Sequence, residues 1–230
     1  MTLDTPSITI VKDHPDWLVI YKPAGLSFHS ESGDPGVIEC LREQLNTRDI
    51  WPVHRLDKPT SGLLLVAKTQ QAAAELSAKF EQRQVQKYYL ALTSTKPRKK
   101  QGWIKGDMTL ARRGAQKLLK TLKNPAITYF ESTALTPGLR LSLLKPFTGK
   151  THQLRVALKS LSAPILGDEL YGGEQSDRLY LHAFALVFEY GLERWEVLAP
   201  PVEGDRWQGL ACVLSDRQWD SPFTLSWPTP

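Results

Sequence analysis

Apolar and polar positions along the chain alternate between a two-residue and a 3.6-residue period, and the switches mark out its elements. Residues 7–12 and 17–22 read as two strands joined by the turn-rich Asp13-His14-Pro15-Asp16. Asp34-Pro35 has the form of an N-cap with proline at the first helical position. Val37, Ile38, Leu41 and Leu45 then recur at helical spacing, which predicts a short helix ending near Asn46. The apolar run Leu63-Leu64-Leu65-Val66-Ala67 is the length of a buried strand. A helix is expected from Gln70 to about Arg83, with Thr69 as its N-cap and Ala73, Leu76 and Phe80 on one face.

Further on, residues 86–92 have strand composition, and residues 102–108 predict another strand. From Arg112 to Lys123 periodicity does not choose between loop and exposed helix. Residues 126–134 and 139–144 predict a hairpin around Thr136-Pro137-Gly138. Leu154, Leu158 and Leu161 share a helical face, residues 181–190 and 195–198 read as late strands, and residues 216–230 read as an extended, packed tail.

Composition narrows the class. A chain of 230 residues with 41% hydrophobic and 23% charged residues suits one substantial core, read here as a single domain over 1–230. No apolar run is long enough to span a membrane and the first residues lack a signal-peptide core, so a cytoplasmic location is the default expectation. Cys40 and Cys212 lack C-x-x-C spacing and read as reduced packing residues. The five histidines show no ligand spacing, so no metal is expected.

Net charge is +5, but its placement says more. Between Lys96 and Lys123 stand ten basic residues, including Lys99, Lys100, Arg112 and Arg113, against Asp107 alone. A concentrated basic segment is the footprint expected of phosphate-backbone binding, although a solvated basic loop has the same composition.

The stretch with the densest chemistry is His54-Arg55-Leu56-Asp57-Lys58-Pro59-Thr60-Ser61-Gly62, directly ahead of the apolar run. Pro59 and Gly62 make it a tight loop behind which a rigid strand holds the carboxylate of Asp57. The string H-R-L-D-x-x-T-S-G-L-L-L-x-A-K resembles the signature of the RluA-type pseudouridine synthases.

Other pieces of that pattern follow in order. Lys22-Pro23-Ala24-Gly25 matches K-P-x-G. Lys87 to Ala91 matches K-x-Y-x-A, and aligning its ends selects Tyr89, not Tyr88. Thr148 to Val156 is similar to T-G-R-T-H-Q-L-R-V-H, with Lys150 in place of arginine and Ala157 in place of the final histidine; Arg155 is intact. Residues 164–172 match P-I-x-G-D-x-x-Y-G and residues 178–183 match R-L-x-L-H-A. Gly149-Lys150-Thr151 is no nucleotide-binding loop, because position 144 is leucine where that motif needs glycine.

The resemblance implies an α+β fold with a mixed, mostly antiparallel sheet, flanking helices and a cleft across the sheet, and a short form with no S4-type RNA-binding domain. It implies isomerisation of uridine in structured RNA, ribosomal or transfer, without cofactor, by a monomer. It assigns Asp57 as nucleophile or base toward the sugar, Arg155 as its ionic partner and Tyr89 to the detached uracil. Substrate contacts are expected from Arg55, His54, Thr60, Lys150 and Leu154, with Arg55 filling the place of a flipped nucleotide. Two rivals stand beside this reading: a noncatalytic RNA-binding module of the same fold, and a glycosidase using Asp57 with Asp168 as acid and base.

Overall fold

The computed structural model describes residues 6–30 and 34–230. In chain order its elements are β1 (Thr9–Asp13), β2 (Trp17–Lys22), α1 (Val37–Gln44), β3 (Trp51–Pro52), β4 (Ser61–Ala67), α2 (Gln70–Glu81), β5 (Gln86–Thr93) and β6 (Gln101–Gly106). There follow β7 (Met108–Leu110), β8 (Gln116–Leu118), β9 (Ala126–Thr136), β10 (Leu139–Pro146), α3 (Gln153–Ser160), β11 (Leu181–Tyr190), β12 (Glu193–Leu198) and α4 (Leu210–Asp216). The class is the expected α+β, with mostly antiparallel pairing. Contacts divide the chain into two compact units, Met1–Val85 with Ala183–Glu203, and Gln86–His182 with Gly204–Pro230.

In the first unit the strands run in the order β1, β2, β4, β11, with β12 beside β11 and β3 beside β4. β2 pairs with β4 from Trp17 opposite Ala67 to Lys22 opposite Gly62, and every residue of both strands is buried. Continuous apolar runs leave neither face for water, which is why both sides are covered. One side is packed by Trp17, Val19, Leu63 and Leu65 with Leu186 and Phe188 of β11 and Ala72 and Leu76 of α2. Gly62 has φ +110, and a Cβ there would lie 2.3 Å from the carbonyl oxygen of Ala183, so only glycine lets β11 run this close.

α2 is capped as expected: the Thr69 hydroxyl accepts from the Ala72 amide at 3.1 Å. It ends at Glu81, with Arg83 beyond it at φ 61. α1 corrects the sequence reading, because Gly36 rather than Asp34 precedes its first turn and no side chain caps it. The carbonyl of Ser27 takes the Val37 amide at 2.9 Å, and Gly36 is pressed so close to the His29 backbone that a Cβ there would sit 2.5 Å from it. A distant backbone oxygen has replaced the local carboxylate.

In the second unit the order is β5, β10, β9, β6. Burial alternates along β9, as one face of a strand packs and the other meets solvent. The hairpin β9–β10 forms where expected and runs further at each end. The strand expected over 102–108 breaks at Asp107, whose carboxylate accepts from the amides of Lys123 and Asn124 at 3.0 and 2.7 Å. Beyond this pivot, β7 and β8 form a two-stranded hairpin whose tip and second strand lie in the segment that periodicity left open. The tail 216–230 is packed, with Trp219 at 1% exposure, but it contains a 3-10 turn at Pro222–Thr224 rather than being wholly extended. Helix α4 just before it was not foreseen. Cys40 is buried as expected, whereas Cys212 is exposed and does not pack. Among the described residues no helix is long and apolar enough to cross a membrane.

Candidate active site

The loop bearing Asp57 is held from behind by a buried cation. Lys22, fully buried at the end of β2, donates its ammonium to the carbonyls of Pro23 at 2.9 Å, Lys58 at 3.0 Å and Thr60 at 2.9 Å. The Lys58 carbonyl also takes the Gly25 amide at 3.0 Å, and the Thr60 amide closes a turn onto the Asp57 carbonyl at 3.0 Å. The Lys-Pro-Ala-Gly and Asp-Lys-Pro-Thr segments are therefore one assembly, in which three ammonium N–H groups meet three carbonyls. Asp57 is half-buried at its outer edge, Thr60 is buried, and Arg55 and Lys58 are exposed.

His54 stands beneath this loop. Its Nε2 accepts from the Leu65 amide of β4 at 2.9 Å, and its ring stacks on Phe80 at 4.2 Å between centroids. That bond makes the neutral tautomer carry its proton on Nδ1. The His54 ring and the Thr60 carbonyl thus each bond to a neighbouring strand, to the Leu65 amide and the Lys22 ammonium.

In the second unit, the start of α3 is organised by Gln153. Its side-chain amide donates to the Ile127 carbonyl at 3.1 Å and the Thr128 hydroxyl at 3.0 Å, and its oxygen accepts from Thr148 Oγ1 at 2.7 Å and the Lys150 amide at 2.9 Å. A buried amide whose donors and acceptor are all engaged locks α3 onto β9. Leu154 and Arg155 follow it, both buried. Arg155 grips Asp168 bidentately, Nε to Oδ2 at 2.8 Å and Nη2 to Oδ1 at 2.7 Å. This fork uses two of the five guanidinium donors. Asp168, at 1% exposure, also accepts from the Tyr171 amide at 3.3 Å, so it is the structural counter-ion of Arg155.

The two adjacent tyrosines of β5 lie on opposite faces. Tyr88 is fully buried and donates to Gln86 Oε1 at 2.7 Å, with the Lys145 amine 5.0 Å from its ring centre. Burial pushes that amine down to about 8. Tyr89 is half-buried on the other face, opposite Leu144 of β10. Period-two geometry thus separates a packing tyrosine from the one selected by the motif.

The basic residues divide in kind. Arg112 and Arg113 form the exposed tip of the β7–β8 hairpin, with Arg113 at φ 57, and Lys100 is exposed. The Lys99 ammonium turns back onto the Trp103 carbonyl. Lys150 reaches Asn124 Oδ1 at 3.0 Å. Lys22, Gln153 and Tyr171 are the residues that reading the sequence did not single out. Their signal was only that each lies inside a matched motif, since hydrophobic periodicity does not register a buried polar partner.

With this geometry in view, residues 16–160 match the family described as RNA pseudouridylate synthase. The chain belongs to that family and is an RNA pseudouridine synthase. An uncharacterized RNA pseudouridine synthase of Haemophilus influenzae is 52% identical over 202 residues, covering 87% of this chain and 90% of that protein. The tRNA pseudouridine synthase C of Pasteurella multocida is 30% identical and covers 93% of both chains. A ribosomal large subunit pseudouridine synthase C of Rickettsia bellii is 38% identical over 74% of this chain and 60% of its own length. Among solved structures, human RNA pseudouridylate synthase domain containing 1 superposes with a TM-score of 0.74 at 28% identity, covering 87% of this chain and 86% of that one.

Proposed function

We propose that this chain isomerises a uridine of ribosomal or transfer RNA, with Asp57 acting on the sugar of a nucleotide flipped out of its stack. The carboxylate acts as nucleophile or base toward the ribose. The C–N bond breaks with its electron pair retained by uracil, the base turns, C5 bonds to C1′, and the proton on C5 leaves as N1 takes one up. No redox change is involved. The observation that supports Asp57 in this role is its mounting: a half-buried carboxylate on a loop whose Lys58 and Thr60 carbonyls a buried lysine holds. Such preorganisation spares the reaction the cost of ordering its charged group.

Tyr89 would lie against the detached uracil and Leu154 would pack beside it. Arg155, oriented by Asp168, would set its positive charge toward the charge that develops. Arg55 would occupy the gap left by the flipped nucleotide, at a cost of a few kcal/mol in unstacking. Lys100, Arg112 and Arg113 would hold phosphates, fixing register without reading sequence. His54 and Thr60 support the loop in this reading, and Lys99 and Lys150 hold their own segments. The glycosidase alternative loses its second carboxylate, because Asp168 is buried in the fork of Arg155.

The test is to map pseudouridines in total RNA from cells with and without the protein, then with Asp57→Asn. A site lost in the deletion strain and restored by the wild type but not by Asp57→Asn is the expected result. Loss of activity on the order of 10³-fold or more in vitro should accompany it. Restoration by Asp57→Asn would end the assignment, and release of free uracil would replace isomerisation with hydrolysis.

A further inference from the structure

Tyr171 is buried, yet its polar and aromatic groups reach three separate segments of the second unit. Its ring lies under the Arg155 guanidinium at 5.0 Å, its hydroxyl is 2.9 Å from His152 Nδ1, and the same oxygen accepts from the Gln116 amide at 2.9 Å. Its own amide bonds to Asp168, the counter-ion of Arg155. A phenol has one proton to give. The oxygen accepts from Gln116 and shares a second hydrogen bond with His152 Nδ1, whose direction follows the imidazole tautomer. His152 has φ 57 and ψ 18, a left-handed conformation that costs a non-glycine residue of order 1 kcal/mol or more.

We propose that Tyr171 is a positioning residue that couples the seating of RNA on the β7–β8 hairpin to the setting of His152 and Arg155. The inference rests on the reading of Arg112 and Arg113 as phosphate contacts and of Arg155 as part of the active site. The hairpin tip is tied to the phenol by a short path. The Ala115 amide bonds the Arg112 carbonyl at 3.1 Å, the Ala111 amide bonds the Ala115 carbonyl at 2.7 Å, and the next residue is Gln116. A shift of the tip on binding phosphates therefore reaches the Gln116 amide and, through one oxygen, the start of α3. Linkage makes the effect mutual: a correctly set His152 and Arg155 favour the hairpin position that binds RNA.

The experiment is a double-mutant cycle on the full chain between Tyr171→Phe, which keeps the ring beneath Arg155, and the paired tip change Arg112→Gln with Arg113→Gln. The probe is a mixture of unmodified ribosomal and transfer RNA transcripts. Tyr171→Phe is expected to lower kcat roughly 10-fold and to weaken RNA binding several-fold, and the tip change is expected to have much less effect on either in the Phe background than in the wild type. Full independence of the two changes, or an unaltered kcat in Tyr171→Phe, would overturn the proposal.

Two measurements need no activity, so they separate failure of this coupling from failure of the enzymatic reading. The nitrogen-15 resonance of His152 Nδ1 should move in Tyr171→Phe, as its hydrogen bond to the hydroxyl is lost. Amide exchange at Gln116 should quicken at least several-fold in Tyr171→Phe while the exchange of β9 and β10 stays as it was. An unmoved His152 Nδ1 resonance, or unchanged exchange at Gln116, would refute the hydroxyl's role even if the enzyme makes no pseudouridine on these transcripts.

Discussion

The Asp57 loop and the β7–β8 hairpin both carry charge toward a proposed RNA substrate, but they are built in opposite ways. The loop is held from within, by a buried ammonium on two of its carbonyls and by a histidine taking a strand amide. The hairpin is held at its margins, by the Asp107 carboxylate at its base and the Tyr171 hydroxyl near its tip, with its arginines exposed. The difference follows from the tasks. A group that does chemistry must keep one geometry, whereas a group that holds phosphates gains from long side chains that adapt.

The comparison breaks most visibly at Lys22. Lys22→Met keeps the apolar stem and removes the cation, taking this donor from the Pro23 and Thr60 carbonyls while the Lys58 carbonyl keeps the Gly25 amide. It should cost about 3 kcal/mol in denaturant unfolding and lower kcat more than KM. If stability falls and the remaining folded enzyme turns over normally, the loop does not depend on its staple. A smaller effect is expected at the hairpin. Changing Arg112 and Arg113 together to Gln should weaken RNA binding about 10-fold and reduce the slope of log affinity against log salt by about 2, with the unfolding midpoint unchanged. An unchanged salt slope would remove these arginines from the interface.

The smallest effect is at the hairpin base. The Thr121 hydroxyl, with the Lys123 and Asn124 amides, holds the Asp107 carboxyl below its ordinary 3.8. A depressed acid stabilises its site in the ionised form, so this clamp is fully present above pH 3.8 and is lost as pH falls through the lower folded value. Amide exchange at Lys123 and Asn124 should therefore quicken in acid relative to β9. In Asp107→Ala it should already be fast at neutral pH. Equal protection in both proteins would show that the hairpin base is held by backbone pairing alone.

Much of the fold was legible in the pattern of side chains. β2, β4, α2, β5, the β9–β10 hairpin and β11 lie within a few residues of where periodicity placed them, because each buries a face that its own sequence marks. The misses share a cause. Asp34 did not cap α1 because the Ser27 carbonyl did, the strand through 108 broke because Asp107 found the amides of Lys123 and Asn124, and residues 116–118 became a strand by pairing back onto 108–110. In each case a partner outside the local window decided the outcome.

The candidate site divides in the same way. Sequence alone determined the order of the motifs, the choice of Asp57, Tyr89 and Arg155, and the basic character of residues 96–123. Tertiary structure decided what each polar group is bonded to: Lys22 reaches Lys58 across 36 positions, Arg155 reaches Asp168 across 13, and Gln116 reaches Tyr171 across 55. Apolar burial leaves a periodic trace because it acts along a continuous face. A hydrogen bond is satisfied by any donor or acceptor the fold brings near, and that choice leaves no period in the chain.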